Sequence, residues 1–178
     1  MKLTLEHIYF RDVFKDLTFA FEIGKMTLLI GNTGAGKSTL FRILTNFNEL
    51  DFSGEVKLGD TLLSHLPIHK RVTYLSMMFQ NPSRQFTMPT PYEELIFTLE
   101  NLQTPSDLID EKIQHAIALG KVEHLLHRDF LTLSGGEKQQ VSLAVLLAMD
   151  SQIILLDEPF ASVDQEARKR LIHLLSDL

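Results

Sequence analysis

One stretch of eight residues constrains this chain more than any other: Gly31-Asn32-Thr33-Gly34-Ala35-Gly36-Lys37-Ser38, which fits the pattern G-x-x-x-x-G-K-[ST]. The continuous apolar run MTLLI at 26–30 enters it and a helical pattern from 37 to about 46 leaves it, predicting strand, loop and helix. Glycines let the backbone curl until its N–H groups face phosphate oxygens, and the helix that follows contributes its positive N-terminal end. In such a loop Lys37 is expected to hold β- and γ-phosphates and Ser38 to ligate Mg²⁺. The bland reading is an ordinary glycine turn, which the flanking strand and helix argue against.

The rest of the chain makes this local anion site necessary. The 178 residues carry 17 Lys and Arg against 23 Asp and Glu, a net charge of −6, so no general basic field draws in nucleic acid or an anionic membrane. With 44% hydrophobic and 22% charged residues the composition is that of one ordinary folded domain, not of a disordered or collagen-like chain. There is no cysteine, hence no disulfide framework and no thiolate metal site. The apolar run 141–149 is too short to cross a bilayer. The N-terminus alternates apolar and polar residues like a strand and does not read as a secretory signal.

Alternation at 2–8 and 17–22 predicts an antiparallel β start, and further strands are expected at 55–58, 71–77 and Ile153–Leu156. Residues 81–91 read as a loop. Residues 92–126 carry helical spacing punctuated by Pro105 and Gly120, which predicts two or three short helices, and 165–178 reads as a last helix. The class is mixed α/β with a helical insertion.

Two more motifs carry chemistry. IILLDEP delivers Asp157 and Glu158 to the end of a buried strand, the edge at which open α/β sheets bind ligands. Asp157 is expected to hold Mg²⁺ through water, and Glu158 to orient or deprotonate the attacking water. Alone, two acids there read more naturally as a solvated strand end; beside a phosphate loop the balance reverses. In LSGGEKQQ, Ser134 is a natural N-cap and Gly135 and Gly136 expose backbone N–H groups at a helix start, a second anion site or simply a flexible cap.

These three motifs in this order resemble the nucleotide-binding domain of the ATP-binding cassette (ABC) family over essentially the whole chain. The resemblance implies a P-loop α/β core with an N-terminal antiparallel β subdomain and a helical subdomain inserted at about 81–135. It implies ATP and Mg²⁺ as ligands, held by residues 31–38 and Thr39, and a head-to-tail homo- or heterodimer. In that dimer Ser134, Gly135 and Gly136 of one subunit face the γ-phosphate held by Lys37 of the other. Gln80 is similar to the glutamine that senses Mg²⁺ and the γ-phosphate. Asp164, in the loop ASVD, resembles a residue that crosses the dimer interface; otherwise Ser162 or Asp164 is a cap for the last helix.

NPSRQF followed by PYEELIFTLEN resembles the ATPases of energy-coupling factor importers. That implies an integral membrane transport partner, a location on the inner face of the cell membrane, and a groove lined by Phe86, Met88 and Tyr92; the alternative packs Phe86 and Tyr92 into the subdomain core. Competing functions are a non-transport ABC ATPase of DNA repair or translation and a hydrolysis-impaired ATP-binding module. The family's adenine-stacking aromatic falls near Asp12, leaving Phe10 or Phe14. Glu137 stands where the family has glutamine, and Gln140 where arginine is frequent. Relatives continue into a strand ending in a histidine, which these residues do not include. His173, mid-helix, is read as a surface or packing residue, and an exposed apolar patch is expected.

Overall fold

The computed structural model describes residues 2–45, 50–81, 85–161 and 163–176. They form two compact units, Met1–Leu75 and Ser76–Leu178.

The first unit is built on an antiparallel sheet. Strand β1 (Lys2–Phe10) pairs on one side with β2 (Phe14–Glu22) and on the other with β3 (Ser53–Leu58), which pairs in turn with β4 (Thr61–Leu62). The buried face of β1 is Leu3 and Leu5, then Ile8 and Phe10, a change from odd to even positions. A strand with a strict two-residue period cannot do this, and both of its ladders break register there. His7, at φ 51°, absorbs the extra residue as a bulge. Opposite it Gly54 sits at φ 105°, where an added Cβ would lie 2.4 Å from the His7 carbonyl oxygen. Only glycine fits that approach. Helix α1 (Lys37–Thr45) follows the glycine loop and buries Leu40, Ile43 and Leu44. Its expected last residue, Asn46, lies outside the described residues.

Two sequence expectations fail in this region. Residues 26–30 form no strand, and Met26, Leu28 and Ile30 are 80%, 80% and 83% exposed. An unbroken apolar run becomes a strand only when neighbours pair its edges and cover both faces. Among the described residues no ladder reaches this one. The strand expected at 71–77 begins only at Leu75: α2 (Ile68–Tyr74) occupies the earlier positions and β5 runs Leu75–Met78. Pro67 sets this boundary, because its carbonyl accepts from the backbone N–H of Lys70 and Arg71 and starts a helix.

The second unit pairs β5 with β6 (Ile153–Leu156). Between them run α3 (Pro91–Asn101), α4 (Ser106–Gly120) and α5 (Gly135–Ala148), and α6 (Gln165–Ser176) closes the described chain. One core gathers Leu95, Leu99, Ile113, Leu125 and Val141; another gathers Met78, Leu143, Leu146, Leu171 and Leu174. Helix α5 contributes to both, so its apolar residues surround it instead of forming one stripe. Helices α4 and α5 approach closely at Gly120, where an added Cβ would meet the Ala144 Cβ at 2.7 Å. Phe86 stacks on Phe130 with ring centroids 3.8 Å apart, and Tyr92 packs against the same core beside His127. Phe86 and Tyr92 thus follow the core-packing alternative, while Met88 is half-buried.

Candidate functional site

In the first unit the phosphate loop turns on Gly34 and Gly36, at φ 83° and 90°. Residues 31–35 are exposed, which leaves their backbone N–H groups open to a ligand. Gly36 is also a close approach: an added Cβ would stand 2.6 Å from Val13 Cγ1 and 3.1 Å from Phe14 Cζ. Lys37 folds back over the loop and donates to the carbonyls of Gly31 at 2.7 Å and Asn32 at 3.0 Å. Its ammonium is thereby anchored to the loop that the sequence assigned to phosphate. Of the two aromatic candidates for adenine, Phe10 is buried in the sheet with the Arg11 guanidinium over its ring, and Phe14 is the half-buried ring beside Gly36.

In the second unit β6 delivers both acids to its C-terminal end, although the strand is half-buried along its length and not the buried one the sequence implied. Asp157 is buried, and its backbone N–H donates to the Met78 carbonyl at 3.1 Å, continuing the strand pairing one step past β6. Glu158 turns out of the sheet at φ 50°, a left-handed conformation that costs energy for any residue with a Cβ. The turn is closed by the Ala161 N–H on the Glu158 carbonyl. There the Glu158 carboxylate meets Gln80: Nε2 of the glutamine donates to Oε2 of the glutamate at 2.6 Å. Residues assigned separately from the sequence are thus in direct contact.

The LSGGEKQQ segment, which in the resemblance is the family's signature, forms a complete capping box. Ser134 Oγ accepts from the Glu137 N–H at 3.3 Å, and Glu137 Oε2 accepts from the Ser134 N–H at 2.7 Å. Glu137 Oε1 also takes the Arg128 guanidinium at 2.8 Å. The hydrogen bonds from Ser134, followed by the arginine, hold the Glu137 carboxyl below its ordinary value against the opposing effect of burial. Glutamate in place of glutamine therefore gains a charged partner that glutamine would lack. Gln140 donates to the carbonyls of Gly120 at 2.8 Å and Lys121 at 3.2 Å, fastening α5 to the left-handed end of α4. Asp164 Oδ1 accepts from the Glu166 N–H and opens α6, in agreement with the helix-cap reading, while Ser162 lies outside the described residues. His173 lies exposed on that helix.

Sequence reasoning missed Arg128, the capping role of Gln140 and, above all, Gln85, which joins β5 to α5. Gln85 stands in a polar loop and no spacing marks it. Gly120, read as punctuation, did signal the place where two helices meet.

No helix among the described residues is long and apolar enough to cross a membrane. The family model for ABC transporters matches residues 14–161. The energy-coupling factor transporter ATP-binding protein EcfA1 of Thermotoga maritima is 34% identical over all of this chain and 68% of its own length. The protein of that name from Leuconostoc mesenteroides is 33% identical over 94% of this chain and 61% of its own. Other curated relatives are longer, and this chain spans 34% of one and 29% of another. The solved structure of cbiO1 from Clostridium perfringens, part of the ABC transporter complex cbiONQ, superimposes with a TM-score of 0.84 at 26% identity, covering 98% of this chain and 72% of that one. With most of its length matched by the family model, and with phosphate loop, paired acids and capped signature helix in the expected order, the chain belongs to the ABC transporter family.

Proposed function

We propose that this chain is the ATP-binding and ATP-hydrolysing subunit of an ABC importer of the energy-coupling factor type, closing head to tail on a second ATPase subunit and driving an integral membrane partner. The observation that carries the reading is the 2.6 Å contact between Gln80 and Glu158 beside the buried Asp157. The contact occupies one carboxylate oxygen of Glu158. The other, Oε1, remains to accept a proton from an attacking water, so the glutamine orients the base without neutralising it.

The loop residues 31–36 and Thr39 take the phosphates through backbone and hydroxyl groups. Lys37 exchanges its two carbonyl partners for β- and γ-phosphate oxygens, a charge-assisted pairing stronger than the bonds it gives up. Phe14, the ring beside the loop, takes the adenine. Ser38, Gln80 and Asp157 offer a hydroxyl, an amide oxygen and a carboxylate, all hard oxygen donors suited to Mg²⁺. Held by these donors, Mg²⁺ would supply charge neutralisation for the departing phosphate. The Gly135 and Gly136 N–H groups, at the start of a 14-residue helix, present positive dipole to the partner-held γ-phosphate, with Ser134 preorganised by its cap. The relatives named as energy-coupling factor ATPases support the importer reading, and the net charge of −6 speaks against a nucleic-acid substrate.

Sedimentation of the Glu158→Gln chain with Mg²⁺ tests this. It is expected to dimerise in ATP and to be monomeric in ADP. A monomer under both conditions overturns the head-to-tail reading.

A further inference from the structure

Gln85 has no part in the site above, yet it makes three hydrogen bonds that join two of its elements. Its Nε2 donates to the Met77 carbonyl at 3.2 Å, and its Oε1 accepts from the Phe79 N–H at 3.3 Å. The same oxygen accepts from Ser142 Oγ at 3.1 Å. Ser142 is buried on α5, eight residues beyond the capped Ser134, or about 12 Å along the helix.

The geometry is that of a side chain acting as a strand. A carbonyl and the N–H two residues later point to the same edge, and the N–H and C=O of one residue on a neighbouring parallel strand would normally satisfy both. Here the Gln85 amide satisfies them. The Met78 carbonyl points to the opposite edge and takes the Asp157 N–H. The end of β5 is thus clamped from both sides, by the strand that bears the acids and by Gln85. Gln80, the partner of Glu158, is the residue immediately after the clamped Phe79.

The clamp is tied to a helix that buries a second amide. Gln139, one turn before Ser142 on the same side of α5, is 0% exposed, and neither of its amide atoms has a partner among the described residues. A buried amide in that condition gains hydrogen bonds when its surroundings shift.

We propose that Gln85 is a positioning residue that couples the signature helix α5, through Ser142, to the β5 end that holds Gln80 against Glu158. Movement of the capped helix as a partner nucleotide engages Ser134 is passed through one hydroxyl and one amide to the group that orients the water. The inference rests on the ATPase reading above, but the linkage itself is a matter of the chain's own hydrogen bonds.

Amide hydrogen exchange at Phe79 and Gln80, read without nucleotide, is the first arm of the test, and steady-state turnover with ATP affinity is the second. Ser142→Ala removes only a hydroxyl and should speed exchange at Phe79 several-fold, with kcat lowered about tenfold and ATP affinity within twofold of the parent. Ser142→Thr, which keeps the hydroxyl, should restore both. Gln85→Glu keeps the accepting oxygen but turns an oxygen toward the Met77 carbonyl, so it should behave like Ser142→Ala. Unchanged exchange at Phe79 in Ser142→Ala overturns the proposal, as does a loss of ATP affinity with kcat intact. Faster exchange in a chain whose parent form shows no turnover supports the linkage and refutes the ATPase reading instead.

Discussion

Gln80 and Glu158 lie 78 residues apart in sequence and meet through one 2.6 Å hydrogen bond. The contact depends on two backbone decisions: the clamped end of β5 aims Gln80, and the left-handed turn at Glu158 aims the carboxylate. The turn is energetically unfavourable for glutamate, which is what a site shaped for chemistry more than stability looks like.

Relieving that turn should therefore stabilise the chain. Glu158→Gly removes the Cβ at φ 50° and is expected to raise stability by up to about 1 kcal/mol, or 2–4 °C in Tm, while abolishing turnover. Gln80→Ala, which loses only an exposed hydrogen bond, should change stability by less than about 0.5 kcal/mol. Thermal denaturation of the two variants checks both; a lower Tm for Glu158→Gly would show that the turn is unstrained.

Gly36→Ala meets two obstacles at once, φ 90° and a Cβ only 2.6 Å from Val13 Cγ1. A cost of about 1–3 kcal/mol is expected, together with weakened nucleotide binding. Adding Val13→Ala removes the closest contact but neither the 3.1 Å approach to Phe14 Cζ nor the backbone strain, so the double variant should recover only part of the loss. Urea denaturation and nucleotide titration of the three proteins measure this, and full recovery would assign the whole effect to the clash.

The capping box at the start of α5 carries a pH signature. Because the Glu137 carboxyl is held below its ordinary value in the folded chain, its contribution is fully present above that ordinary value and disappears as pH falls through the folded one. Glu137→Ala should cost about 1 kcal/mol at pH 7. The difference from the parent should shrink as the solution is acidified below the glutamate range. Urea midpoints at pH 7 and pH 3 test it, and a gap that widens in acid would contradict the sign.

Much of this was legible in the residues because the relevant physics is local. The helix that leaves the phosphate loop, the acids after Ile153–Leu156 and the Ser134 cap each depend on a handful of consecutive positions, and these the structure places as read, whereas the strand expected to enter the loop is absent. Where tertiary partners decide, the sequence misled. The run at 26–30 looks like a buried strand because its composition is that of one, yet a strand also needs neighbours. Residues 71–74 looked extended until Pro67 nucleated a helix through them. Phe86 and Tyr92 carried two readings, docking surface or core, and only the Phe86–Phe130 stack and the packing around Tyr92 separated them. Gln85 stands inside the NPSRQF motif, but its role was hidden, since an amide that stands in for a strand has no period to betray it.

The central claim is that Glu158, oriented by Gln80, is the base for ATP hydrolysis, and phosphate release measures it most directly. With saturating ATP and Mg²⁺, the parent chain should release phosphate steadily, and Glu158→Gln should retain ATP binding while releasing phosphate at least about 100-fold more slowly. Release by Glu158→Gln at the parent rate would contradict the account.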